Sequence, residues 1–123
     1  MNELHAASSN PLSQLRDALR RFAAERDWDQ YHSPKNLAVA LSVEAAELLE
    51  PFQWLTDDAS GSLSTHQLEK VTEEIADVLL YLIRLADKLD IDLIKAAQSK
   101  MAINALRYPA DKSRGSNKKY TEL

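Results

Sequence analysis

Four carboxylates stand out by type and spacing. Glu44 and Glu47 lie three residues apart, and Glu74 and Asp77 repeat that interval further along the chain. At about 100° per residue, an i,i+3 pair on an α-helix falls within roughly 60° on one face. Each pair would therefore form a two-toothed comb of carboxylates. Glu44 and Glu47 also interrupt the apolar run LAVALSVEAAELLE, where an isolated charge would cost several kcal/mol on burial. Such a carboxylate must be protonated, paired with a cation or bound to metal. Four carboxylates on two neighbouring helices would offer hard oxygen ligands, which suit Mg²⁺ or Mn²⁺ and through them phosphate.

Simpler explanations compete with that chemistry. An acidic i,i+3 pair is most often a solvated helix face. Lys70, four residues before Glu74, and Arg84, seven after Asp77, could satisfy the charges locally. Spacing alone also leaves the frame open, since Glu47 and Glu50 form another such pair and Glu73 adjoins Glu74. Pro51 ends the helix at Glu50, which favours a supporting or solvent role there. A di-iron centre needs a histidine three residues after a glutamate on two helices. None of His5, His32 or His66 meets that spacing. The remaining alternative is a non-catalytic helical interaction module that docks through the apolar helix 34–50.

The elements that would position these groups are helices, since helical periodicity dominates and no alternating strand pattern occurs. A first helix is expected from Pro11 to about Arg26, capped by Ser9 or Asn10, with Leu12, Leu15, Leu19 and Phe22 on one stripe. Residues 27–32 read as an aromatic loop. Ser33-Pro34 opens a second helix ending near Glu50, apolar almost all round and so buried on most sides, by core or by another subunit. Residues 56–63 read as a loop. Ser64 and Gln67 match a capping box for a third helix reaching about Leu89. A fourth spans about Ile91 to Arg107, before Pro109. This gives an all-α, four-helix protomer at 11–109, with a flexible stretch at 1–10 and a polar tail at 110–123.

Composition narrows the function. With 123 residues and 45% hydrophobic content the chain suits one globular domain. The absence of cysteine excludes thiolate chemistry. Two glycines, Gly61 and Gly115, cannot build a phosphate loop or a dinucleotide fingerprint. A formal charge of −4 argues against a nucleic-acid partner, despite Lys112, Arg114, Lys118 and Lys119 near the C-terminus. The first ten residues do not form a secretory signal and no window suits a membrane helix, so a cytoplasmic location is expected.

Glu44-x-x-Glu47, a gap of 26 residues and Glu74-x-x-Asp77 together resemble the signature of the MazG-like, all-α nucleoside triphosphate pyrophosphohydrolases. Further segments are similar to the dCTP pyrophosphatase branch of that family. They are FAAERDW (22–28), FQW (52–54), EEIADVLLYL (73–82), Lys100-Met101 to Asn104, Arg107-Tyr108-Pro109 and the terminal KYTEL. The resemblance covers about residues 12–123.

It implies a multi-subunit helical bundle, a homotetramer, that hydrolyses a nucleoside triphosphate, dCTP or a modified dCTP, to monophosphate and pyrophosphate as nucleotide-pool housekeeping. Glu44, Glu47, Glu74 and Asp77 would hold Mg²⁺, with Mn²⁺ a possible substitute. Trp28, Trp54 and Tyr81 would shape the nucleotide pocket, and Lys100 and Asn104 would add polar contacts. Leu19 stands where the related enzyme has a histidine near the base, a departure that bears on base preference. The residue types suit these roles. Tyr81 continues the face of Asp77 by one turn, and a tryptophan stacked on a base contributes about 1–3 kcal/mol. Both tryptophans could equally be core, and Lys100 and Asn104 an ordinary exposed i,i+4 pair.

Overall fold

The computed structural model describes residues 10–123, and every described element of regular structure is helical. All but Asn10 of the stretch expected to be flexible lies outside the described residues. Helix α1 spans Pro11–Glu25, α2 Pro34–Leu49, the single turn α3 Asp57–Ser60 and α4 Thr65–Lys88. Then come α5, Leu93–Arg107, and the single turn α6, Ala110–Ser113, with 3₁₀ turns at Asp29–Tyr31 and Tyr120–Glu122. The chain divides into two compact units, one ending at Asp90 and the other Ile91–Leu123.

In the first unit, α4 is the helix on which both α1 and α2 pack. Local chemistry sets where each begins. The Asn10 side chain accepts from the Leu12 N–H at 2.9 Å, with Pro11 following. Ser33 caps α2 by accepting from the Asn36 N–H at 3.1 Å. Ser64 and Gln67 close the expected capping box, with bonds of 3.2 and 2.9 Å. The apolar core consists of Ala23, Leu37, Val71, Ile83 and Ala86.

The end of α1 determines where Trp28 lies. The Trp28 N–H reaches back to the Ala23 carbonyl at 2.9 Å and the Asp27 N–H to Ala24 at 3.2 Å. This is a Schellman closure, which needs a left-handed residue. Asp27 supplies it at φ 54°, and its carboxylate accepts from Gln30 at 3.0 Å.

Within the protomer only Leu37 of α2 is fully covered, while Val39, Val43 and Leu49 are more than half exposed, so the core supplies only part of the cover expected for this helix. In the second unit, the segment read as a polar tail carries ordered structure. Tyr120 folds back edge-on to Tyr108, ring centroids 5.9 Å apart, and the Arg107 guanidinium lies over its ring at 4.8 Å. The start of α5 is two residues later than expected, because Asp92 caps it by accepting from the Lys95 N–H at 3.0 Å.

Candidate active site

Packing of α2 on α4 brings the two combs together. Glu44, Glu74 and Asp77 each offer a carboxylate oxygen, and these oxygens lie within 4.8 Å of one another. Glu47 falls outside that trio but stands close enough to act on Glu44. Glu74 is 4% exposed, and Lys70 pairs with its Oε1 at 2.8 Å across one helical turn. That lysine holds the Glu74 carboxyl below its usual range, and its own ammonium is raised in return. The other oxygen is unsatisfied. Glu74 Oε2 and Glu44 Oε2 are both buried without a hydrogen-bond partner. Burial, followed by the nearby Glu47, Glu74 and Asp77 carboxylates, pushes the Glu44 carboxyl up to about 7.

Local pairing thus accounts for only part of the cluster. Lys70 neutralises one of the acids, as the simpler reading allowed, and leaves two buried acceptors unspent. Arg84 is committed elsewhere. A hard divalent cation fits what remains: three convergent carboxylates, two orphaned acceptor oxygens and no nitrogen or sulfur donor among the trio.

Beside this cluster lies a cavity of about 230 Å³, lined by α1, the aromatic loop and α4. Asp77 borders it, as do Trp28 and Tyr81, so one carboxylate belongs to both features. Trp28 is set by the Schellman turn and by edge-on contacts to Phe22 and His32, with centroids 5.6 and 6.4 Å away. Tyr81 reaches the same wall one turn beyond Asp77. Leu19 also lines it. The volume is below the ~300–1,000 Å³ of pockets that enclose whole drug-sized ligands. It suits an aromatic base, with any attached phosphates extending past Asp77.

Trp54 follows α2 and is 87% exposed, with no part in the cavity wall. Lys100 and Asn104 lie on α5, in the second unit. Conversely, His32 and Arg84 line the cavity although spacing had not assigned them to a pocket. Arg84 was visible as a lone cation on the apolar face of α4, two turns past Asp77. Two of its partners, His32 and Asp29, were not, because they lie more than fifty residues away in the chain. Arg84 donates to His32 Nδ1 at 3.1 Å and to Asp29 at 2.6 Å, and lies 3.6 Å from Asp87. Arg20 donates to Asp87 at 2.7 Å and Lys88 reaches Asp29, so each acid has two cations.

Residues 39–123 match the MazG-like family. The chain is 48% identical over 114 residues to dCTP pyrophosphatase 1 of Homo sapiens, covering 91% of this chain and 67% of that protein. It is 45% identical over 119 residues to dCTP pyrophosphatase 1 of Bos taurus, covering 94% and 70%. The crystal structure of a pyrophosphatase from Archaeoglobus fulgidus DSM 4304 is similar at 46% identity and a TM-score of 0.77. That similarity covers 81% of this chain and 94% of the archaeal one.

Proposed function

The chain belongs to the MazG-like family, and from that premise we propose that it is a divalent-metal-dependent nucleoside triphosphate pyrophosphohydrolase acting on dCTP or a modified dCTP. The observation that carries this reading is the pair of buried, unpartnered oxygens on Glu44 and Glu74, beside a base-sized cavity that shares Asp77.

Glu44, Glu74 and Asp77 would hold Mg²⁺, or Mn²⁺ in its place, with Glu47 at the edge of the set. When bound, such an ion supplies Lewis acidity toward phosphate oxygens and water. The chain's own residues do the rest. Trp28 and Tyr81 hold the base in the cavity and orient the triphosphate toward Asp77. Glu47, outside the trio, is the carboxylate left to take a proton from the attacking water. Hydrolysis between the α- and β-phosphates releases the monophosphate and pyrophosphate. Lys100 and Asn104, an i,i+4 pair on α5, would meet the polar groups of the nucleotide. A docking module gives no reason for two orphaned carboxylate oxygens and is not favoured.

No described helix is long and apolar enough to cross a membrane. We place the activity in the cytoplasm, acting on the free nucleotide pool. The uncovered Val39, Val43 and Leu49 on α2 and Ile75 and Leu79 on α4 support a homotetramer, in which a further subunit covers these faces and Trp54. Light scattering should give a tetramer, and a monomer at micromolar concentration refutes this part. The enzyme reading is tested by pyrophosphate release from each common deoxynucleoside triphosphate, with Mg²⁺ and after chelation. Release only with metal, fastest from dCTP, is expected. Silence throughout, or equal release under chelation, refutes it.

A further inference from the structure

Lys70, Glu74, Asp77, Tyr81 and Arg84 follow one another on α4 at steps of four, three, four and three residues. Those steps keep all five on one face of the helix. The stripe has a direction. Toward its later end Leu80, Tyr81 and Arg84 line the cavity, Asp77 is shared by the cavity and the carboxylate trio, and Glu74 belongs to the trio alone. Lys70 comes next, about 10 Å along the axis from Asp77 at about 1.5 Å per residue. Its side chain is 49% exposed, whereas that of Glu74, which it meets at 2.8 Å, is 5% exposed. An ammonium therefore stands where the buried cluster opens to solvent. Of the lysines and arginines on α4, Arg84 and Lys88 are both spent on Asp29, and Lys70 is the one paired with a member of the trio. Glu74 first, then Glu47 and Glu50 at the end of α2, hold Lys70 above its usual pKa, so it is a cation at neutral pH.

A cavity of base size accepts the base of a monophosphate or of a triphosphate alike, so a preference for the triphosphate must come from groups beyond Asp77. We propose that Lys70 is a specificity-determining residue that meets the outer, pyrophosphate half of the nucleoside triphosphate. The nucleotide then lies along α4 with its base toward Arg84 and its outer phosphates toward the start of the helix. The proposal rests on the reading of cavity and trio as a nucleoside triphosphate site. With the base in the cavity and the nearest phosphates at the trio, the outer phosphates pass Glu74, and Lys70 is the cation that α4 offers there. Its present partner does not withhold it. Lys70 holds Glu74 through Oε1, while Oε2 is the buried, unpartnered oxygen. Once the charge of Glu74 is met at Oε2, Oε1 attracts Lys70 less, and an ammonium on a flexible four-carbon stem turns to a phosphate oxygen. Such a charge-assisted bond is about twice as strong as a neutral one.

Lys70→Met and Lys70→Arg in the full chain, at saturating Mg²⁺, test this through dCTP hydrolysis and its inhibition by each product separately. Lys70→Met should raise KM for dCTP and the inhibition constant of pyrophosphate about tenfold each, the size of one hydrogen bond to a charged group. The inhibition constant of dCMP should stay as in the wild type. Lys70→Arg keeps the charge and should recover most of the pyrophosphate affinity. Without turnover, quenching of tryptophan fluorescence by an α,β-imido analogue of dCTP should weaken by the same factor in Lys70→Met, and quenching by dCMP should not. Calorimetry of Mn²⁺ binding to the nucleotide-free chain separates this from a role in merely orienting Glu74. Loss of a competing ammonium should leave Mn²⁺ binding no weaker. Weaker Mn²⁺ binding in Lys70→Met, or an unchanged pyrophosphate constant, overturns the proposal and leaves the enzyme reading intact. A wild-type chain inert toward every deoxynucleoside triphosphate overturns both.

Discussion

Glu74 and Arg84 are the two buried charged side chains among the described residues, and both belong to α4. Their surroundings differ. Around Arg84, His32, Asp29 and Asp87 take up the guanidinium, and Arg20 and Lys88 balance the acids. Around Glu74, one lysine meets one oxygen, and the second oxygen joins Glu44 Oε2 as a buried acceptor with nothing to accept. A protein can bury charge at two points along one helix, but only a fully partnered cluster is finished by the chain alone. The other is complete only with a cation from outside. A buried charge is therefore weak evidence of function, whereas a buried charge with unspent acceptors is strong evidence.

Substitutions at the two ends should separate in kind. The largest effect belongs to the acidic end. Glu44→Gln, Glu74→Gln or Asp77→Asn should each cut Mg²⁺-dependent pyrophosphate release at least about a hundredfold, matching the several kcal/mol a catalytic ion supplies. Urea unfolding in metal-free buffer should show no loss of stability for Glu44→Gln, because repulsion is relieved, whereas Glu74→Gln also gives up the Lys70 pair. Near-wild-type activity in any two of them would erase the contrast. Arg84→Met should do the reverse and cost about 3 kcal/mol of stability. That is the lower end for breaking a buried pair, since Lys88 and Arg20 still hold Asp29 and Asp87.

The ends should also respond oppositely to pH. The Glu44 carboxyl, raised from 4.5 to about 7, binds its proton more tightly in the folded chain. Metal-free stability should therefore fall as pH rises through that window, and Glu44→Gln should flatten the slope. Asp87 is held below its usual range, first by the Arg20 hydrogen bond. Its contribution is present above the ordinary carboxylate range and is lost as acid titrates it through the depressed value. Thermal melts across about pH 2–8 would show both limbs. The smallest effect is at the Schellman turn. Asp27→Gly relieves a left-handed φ but gives up the Gln30 contact, so melting should report a net change within about 1 kcal/mol.

The sequence showed the acidic end better than the basic one, for a physical reason. Comb spacing, caps and prolines are local signals, so Glu44, Glu74, Asp77, Ser33 and Ser64 could be read directly. The helical repeat also placed Tyr81 on the face of Asp77. The cradle of Arg84 joins residues on α1, the aromatic loop and α4 that no short-range period connects, and His32 entered the cavity unannounced. The order beyond Pro109 was missed because one tyrosine pair, not composition, folds that segment back. The apolar character of α2 was plain, but how much of it a protomer covers is a property of packing.

The connection between the combs has a consequence for how such sites change over time. Residues 50–64 contribute no carboxylate to the trio, and within them lies only the single turn α3, ended at Gly61. Lengthening a flexible connection costs little, about 0.6 kcal/mol for each doubling, and α2 and α4 would still meet. Inserting one residue between Glu74 and Asp77 would instead swing one of them by about 100° around the helix. Insertions and deletions can therefore accumulate between the pairs while the interval within each pair stays rigid. A search for distant chains with the same chemistry should hold each three-residue step constant and let the distance between them float.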